Sequence, residues 1–242
     1  MLEIRNLSKR FGQKQVIDDL NTIFPSNGVY IIVGTNGCGK TTFMNMVTNL
    51  LKPDSGTLIY EGHDVGTREY KKSIFYIPSD FYLPEYLTAN EYLQMMLAYY
   101  PKASMDQVDF LFDVLDLEES RYQLLETFSF GMKKKIQLLT AIAAGTDYVF
   151  ADELFGGLDF DTVILVQELL KELQLTRAFV LVSHDLNTLL SFPRNIYIMS
   201  CGKLSKFEGK VEMIAEAIKG TGGLDAKLQN IRQQFSSHQI IS

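Results

Sequence analysis

The stretch of this chain whose residue types and spacing best suit chemistry is Gly34-Thr35-Asn36-Gly37-Cys38-Gly39-Lys40-Thr41-Thr42. Its three glycines let the backbone wrap closely enough for N–H groups to point at anionic oxygens. Lys40 supplies a cation that reaches the outer phosphates, and the Thr41 hydroxyl is a hard-oxygen ligand suited to Mg2+. The spacing fits G-x-x-x-x-G-K-[ST], in which a glycine-rich loop empties onto a helix N-terminus that adds its own partial positive charge. The chemistry of such a loop is phosphate binding.

The second chemical feature is Tyr148-Val149-Phe150-Ala151-Asp152-Glu153. By itself, an apolar run followed by Asp-Glu is more often a strand meeting solvent. In the same chain as a phosphate cradle, the two carboxylates divide a task. Asp152 is read as holding Mg2+, directly or through water, and Glu153 as orienting and deprotonating an attacking water.

These groups work only if strands deliver them to one edge. Val29 to Val33 has the length and apolarity of a buried strand, and Lys40 to Leu50 has helical periodicity. Tyr148 to Ala151 and Ala178 to Val182 are further buried strands, the latter ending at Ser183-His184-Asp185. In a parallel sheet their C-terminal ends lie together, where ligands of α/β proteins bind. Before the cradle, Leu2 to Leu7 and Val16 to Phe24 read as strands; after it, Thr57 to Tyr60 and Ser73 to Ile77 read as edge strands, the second stopped by Pro78. From Asp80 to Gln123 the pattern is helical. Thr88-Ala89-Asn90-Glu91 forms a capping box, and Val108, Leu111, Phe112 and Leu115 share one helix face. Ser129 caps a helix running to about Ala144, and another helix runs from Asp161 to Leu173. Asn195 to Ser200 and Lys203 to Glu208 form a hairpin, and the tail from Val211 to Ser242 is weakly helical.

With 242 residues, 46% of them hydrophobic, the chain can bury a large core. A formal net charge of −6 argues against a general nucleic-acid binder. The one dense basic run, Lys133-Lys134-Lys135, is expected to be three solvated side chains. Two cysteines make no disulfide framework and fit a reducing cytosol, and no signal peptide or uninterrupted membrane span is expected.

Taken together, these motifs resemble the ATP-binding subunit of an ABC transporter, with a look nearest to bacterial exporter ATPases. The likeness covers residues 1 to about 210, with a helical subdomain of about 80–145 inserted and the tail 211–242 left over. It implies an α/β P-loop NTPase with a RecA-like core and an N-terminal antiparallel β part. It also implies a cytoplasmic ATPase, attached peripherally to a membrane-spanning permease, that closes as a homo- or heterodimer over two MgATP. Residues 34 to 42 match the Walker A motif, with Asp152 and Glu153 as Walker B and its adjoining base. By position in the family order, Phe11 is implied to stack on adenine and His184 to hydrogen-bond the terminal phosphate. Gly157-Leu158-Asp159 matches a loop that crosses the dimer interface, although Asp159 is also placed to cap the next helix. A soluble ABC-type ATPase of an assembly or scaffold complex is the alternative.

Two positions depart from the family pattern. The signature Leu-Ser-Gly-Gly-Gln reads Phe128-Ser129-Phe130-Gly131-Met132 here. Ser129 and Gly131 can still offer a helix N-terminus to a partner's nucleotide, whereas Phe130 puts a ring where a glycine allows close approach or a positive φ. Where the family has a Gln that touches Mg2+, this chain has Ser79. Serine is shorter, so either a water bridges the gap or Asp80 takes part.

Overall fold

Ten strands and nine α-helices are found in the computed structural model, which describes residues 1–80, 83–219 and 224–236. Leu2–Phe11 (β1) and Lys14–Phe24 (β2) pair antiparallel across a tight turn, and Gly28–Val33 (β3) leads into the glycine-rich loop. Lys40–Val47 (α1) follows, then Ser55–Tyr60 (β4), His63–Asp64 (β5), Arg68–Ser73 (α2) and Ile74–Ile77 (β6). The helical region holds Ala89–Leu97 (α3), Met105–Val114 (α4) and Phe130–Ala143 (α5). The chain then alternates through Tyr148–Asp152 (β7), Phe160–Leu173 (α6), Ala178–Val182 (β8) and Leu186–Ser191 (α7). A hairpin of Ile196–Ser200 (β9) and Lys203–Lys206 (β10) precedes Ile214–Lys219 (α8) and Leu224–Ser236 (α9).

The strands form two sheets. One is antiparallel, ordered β2-β1-β4-β5; the other is ordered β10-β9-β3-β8-β7-β6, parallel except for β10. Strands β3, β7 and β8 are buried at nearly every position, because helices or the other sheet cover both faces. Helix α1 lies in the apolar layer between the sheets. Its Phe43, Met44, Met46 and Val47 are fully buried, worth about 1.5–3 kcal/mol each. A second cluster, on the opposite face of the large sheet, joins α3, α4, α5 and α6 to Val29, Ile31 and Val33. Tyr148 ties the sheets together. Its buried hydroxyl donates to Phe24 O at 2.7 Å and accepts from Leu2 N at 3.0 Å.

Several boundaries differ from the sequence reading, for physical reasons. Helix α1 stops at Val47 rather than Leu50, because Asn49 takes a left-handed conformation and Leu50 N turns back to Asn45 O. The apolar pattern simply continues into Leu50 and Leu51. Strand β4 is not an edge strand, since the two residues of β5 cover it. Strand β6 does end its sheet among the described residues. The region from Asp80 is less helical than expected, with α3 starting only after the Thr88 capping box. The tail does not start free of the body: Val211 and Ile214 are buried in the helix-side core. No helix among the described residues is long and apolar enough to cross a membrane.

Candidate functional site

Strand β3 delivers the glycine-rich loop at its C-terminal end. Gly39 caps α1 with φ of 114°, and a Cβ there would meet Val16 O at 2.9 Å, so only glycine fits without strain. The loop curls round its own lysine. Lys40 is buried, and its ammonium donates to Gly34 O at 2.8 Å and Thr35 O at 3.1 Å. Strand β7 runs beside β8, and its last residue brings Asp152 to the same edge. There the Thr41 hydroxyl donates to Asp152 Oδ2 at 3.0 Å.

These groups share a cavity of about 500 Å3. It is lined by Asn36, Gly37, Gly39, Lys40, Thr41 and Thr42 from the loop, by Phe11, Lys14 and Val16 from the antiparallel sheet, and by Ser79, Asp152, Glu153 and His184 from strand ends. Phe11 is half exposed, so a ring face is available to a planar group. Lys9 Nζ lies 5.8 Å from its ring centroid. Lys14 and Val16 were not anticipated, since nothing in Gly12-Gln13-Lys14-Gln15-Val16 marks them as site residues. Gly34, Thr35 and Cys38 do not line the cavity. Gly34 and Thr35 serve through the carbonyls that hold Lys40, and Cys38 Sγ lies 4.0 Å from Lys40 Nζ.

Glu153 sits at φ 51°, a conformation that costs a non-glycine residue roughly 1–2 kcal/mol. Its N–H donates to Val182 O at 3.0 Å, which fixes the turn. Burial, with the Asp152 charge beside it, holds the Glu153 carboxyl above its ordinary range, against the pull of Lys40 and Lys134. His184 is held below its ordinary range by burial and by Lys40. The imidazole is thus neutral at neutral pH, and its Nε2, 3.6 Å from Glu153 Oε1, is too far for a hydrogen bond and makes no ion pair there.

The residues present fit a magnesium ion. Such an ion takes hard oxygens, keeps several waters and borrows phosphate oxygens, so one hydroxyl and one carboxylate side by side are an adequate protein share. Ser79 faces the same cavity. Among the described residues there is no cluster of three or more His, Cys, Asp or Glu that would form an all-protein metal cage.

Three expected site residues lie elsewhere. Neither Ser129 nor Gly131 is among the described residues lining the cavity, and neither is Asp159. Ser129 caps α5 through a hydrogen bond from Met132 N at 3.2 Å. Phe130 is the first residue of that helix with no positive φ, so its ring forbids no needed backbone conformation. The ring instead rests on Gly157: with φ of 79° there, an added Cβ would lie 2.4 Å from Phe130 Cδ1. Asp159 caps α6, accepting from Thr162 N at 2.9 Å and Thr162 Oγ1 at 2.9 Å, which with Lys135 holds its carboxyl down at about 2. The three lysines are not solvated. Lys133 pairs with Glu85, Lys135 with Asp159, and Lys134 is 1% exposed. A run of like charges carries no signal that its members point to three different loops.

A family model described as "ABC transporter" matches residues 17–156, more than half of the chain. Petrobactin import ATP-binding protein YclP of Bacillus subtilis is 26% identical over 228 residues, covering 90% of each chain. Lipopolysaccharide export system ATP-binding protein LptB of Haemophilus influenzae is 26% identical over 213 residues, covering 84% of this chain and 88% of its own. In fold, the chain is similar to a solved ATP-binding subunit of an ABC transporter, with TM-score 0.79, 24% identity and coverage of 95% and 98%. It is also similar to the ATP-binding cassette MJ0796, a dimer in a post-hydrolysis state with ADP and Pi, with TM-score 0.75, 23% identity and coverage of 86% and 100%. The P-loop cavity, the two-sheet body and these matches agree: the chain belongs to the ABC transporter family, as an ATP-binding subunit and ATPase.

Proposed function

We propose that this chain hydrolyses MgATP as one half of a dimer of cassettes and uses dimer closing and reopening to drive a separate membrane-spanning subunit from the cytoplasmic face. The observation that carries this reading is the division of the site. Phe11, Lys40, Thr41, Ser79, Asp152, Glu153 and His184 share one open cavity, while the helix N-terminus at Ser129 and Gly131 is built and capped away from it. A nucleotide in the cavity therefore leaves a face for a second subunit's Ser129 and Gly131. Beside Glu153 runs an apolar groove of about 760 Å3 edged by Phe160, Ile164 and Leu190, all exposed, which suits burial against that second cassette.

In this mechanism Phe11 stacks on the adenine, while the loop amides and Lys40 hold the phosphates. Thr41 and Asp152, with Ser79 alongside, would hold Mg2+, which would supply charge neutralisation to the outer phosphates. Glu153 takes a proton from the attacking water, a role that its raised proton affinity strengthens. Neutral His184 donates a hydrogen bond to the terminal phosphate. Asp159 Oδ2 lies 3.5 Å from Lys135 Nζ, so the interface loop and the signature helix are in contact.

The membrane subunit is proposed to dock on the groove between β6 and α3, about 540 Å3, lined by Leu50, Tyr70, Ile74, Tyr76, Met96 and Tyr100 among others. From the sequence, the stretch Ser79 to Leu97, where Phe81, Tyr82, Tyr86 and Tyr92 crowd with Leu83 and Leu87, is the expected surface for this subunit; Tyr86 is exposed, whereas Tyr92 belongs to the core. Phe81 and Tyr82, also candidates, lie outside the described residues. Export is the proposed direction, following the resemblance of the sequence; the named relatives include both import and export proteins.

Two experiments test the reading. Glu153→Gln should bind ATP, stall turnover and accumulate a dimer by size exclusion; a variant that remains monomeric and turns over normally overturns it. Because Phe130 and Ser79 depart from the family pattern, the isolated chain should also hydrolyse ATP slowly and be accelerated by its membrane subunit. An isolated chain running at the full rate of the assembly, or a purely soluble assembly recovered from solubilised cells, argues against that coupling.

A further inference from the structure

The first turns of α5 hold a feature that the proposed mechanism does not use. Lys134 is 1% exposed, yet it is a lysine, and its ammonium donates to Pro78 O at 3.2 Å. A buried ammonium is costly unless it is paired, so its presence calls for the partners it meets. Apolar packing alone therefore gives no reason for a cation here.

What the cation touches does give one. Pro78 is the residue before Ser79, and Ser79 lines the nucleotide cavity. Lys134 is also attracted by the carboxylates of Asp152, Glu153 and Asp80, two of which face that cavity. At the other end of the same helical stretch, only five residues earlier, Ser129 caps the N-terminus. A helix transmits displacement along its axis as a rigid element, so whatever moves Ser129 and Gly131 moves Lys134 with them.

We propose that Lys134 is a positioning residue for hydrolysis: its buried ammonium ties the Pro78–Ser79 turn to α5, so that the helix offered to the second cassette's nucleotide also sets where Ser79 stands in its own cavity. The inference rests on the reading of Ser79, Glu153 and the signature given above. It supplies what a short serine lacks. A long amide could follow the phosphate by its own flexibility, whereas Ser79 has to be carried into place by its backbone, and Lys134 holds the carbonyl next to it. The flanking lysines steady the same turn of helix against two other segments, through Glu85 and Asp159.

The test compares Lys134→Met, which keeps the volume and removes both charge and donor, with Lys134→Gln, which keeps a neutral donor for the Pro78 carbonyl. Full-length chains are assayed for ATP affinity without turnover and for kcat and KM with MgATP, with Glu153→Gln run in parallel. Expected are a tenfold or greater loss of kcat in Lys134→Met, a KM and an ATP affinity within twofold of the parent, and recovery of at least a third of kcat in Lys134→Gln. Parental kcat in Lys134→Met while Glu153→Gln is inactive overturns this inference alone. So does a kcat loss that comes with a matching fall in ATP affinity and no recovery in Lys134→Gln, because that is the pattern of a merely structural lysine. Normal turnover in Glu153→Gln would instead overturn the reading of the site on which the inference stands.

Discussion

Replacing Glu153 should make the protein more stable and less active at once. Its backbone sits at φ 51°, where a side chain costs about 1–2 kcal/mol. In Glu153→Gly that cost disappears, offset by the roughly 0.5–1 kcal/mol of extra chain entropy that glycine loses on folding. The contact with His184 adds almost nothing, since the imidazole is neutral and both side chains are more than a third exposed. The net gain is about 0.5–1 kcal/mol, or a rise of about 1–4 °C in melting temperature for a chain of this size. Turnover should fall by roughly 100- to 10,000-fold if Glu153 is the general base. Glu153→Gln separates charge from backbone. A carboxyl whose folded-state proton affinity is raised contributes stability that is present at low pH and lost as pH rises through its titration. The Gln variant should therefore match the parent near pH 4 and melt above it at pH 7 and 8. Nucleotide-free calorimetry across that pH range, with phosphate release measured on the same samples, checks both halves. A Glu153→Gly protein destabilised by more than about 1 kcal/mol would refute the strain argument, and one that still hydrolysed ATP would refute the catalytic one.

Lys40→Ala should weaken ATP binding itself by about 10- to 100-fold, the range for losing charge-assisted hydrogen bonds, as read by titration calorimetry. Tyr148→Phe removes the hydroxyl that serves both Leu2 N and Phe24 O, and should cost about 2–4 kcal/mol in denaturant melts while leaving nucleotide affinity in place. Asp159→Ala should cost about 1 kcal/mol through the lost helix cap. Its carboxyl is held down at about 2, so the stability it lends is complete above about pH 4 and fades between there and about pH 2; the parent and variant melting curves should converge over that window. Gly157→Ala should destabilise by about 1–2 kcal/mol from φ alone. Phe130→Ala in the same background should recover only the additional steric part, because the ring then no longer meets the new methyl.

Much of this was legible in the residues. The loop from Gly34 to Thr42 and the Asp152-Glu153 pair announce themselves because phosphate chemistry restricts residue type at fixed spacing, and buried strands such as Ala178–Val182 show as unbroken apolar runs. The capping residues Thr88, Ser129 and Asp159 were equally readable, since a side-chain oxygen ahead of an apolar period has one common use. Illegible were features set by distant partners. Nothing local tells that Lys134 reaches a carbonyl 56 positions away, or that Lys14 and Val16 join the nucleotide cavity. The sequence pattern overstates helix α1 because Asn49 ends it by backbone conformation while apolarity continues. The short pair β5 and α2 leaves no trace in the sequence pattern because two or six residues are too few to display a period.

Strand β6 carries a consequence for handling the protein. It is four residues of strongly β-prone sequence, Ile74-Phe75-Tyr76-Ile77, at the end of its sheet among the described residues, and its free edge borders an apolar groove. Such an edge is a template on which another chain can aggregate. Brevity, Lys71 and Lys72 before it, and Pro78 after it act as gatekeepers. A Pro78→Val change would lengthen the edge and remove one guard, and soluble yield would drop even though the catalytic groups were untouched. The same stickiness, confined to one groove, is what a cassette purified away from its assembly would show first as slow precipitation on concentration.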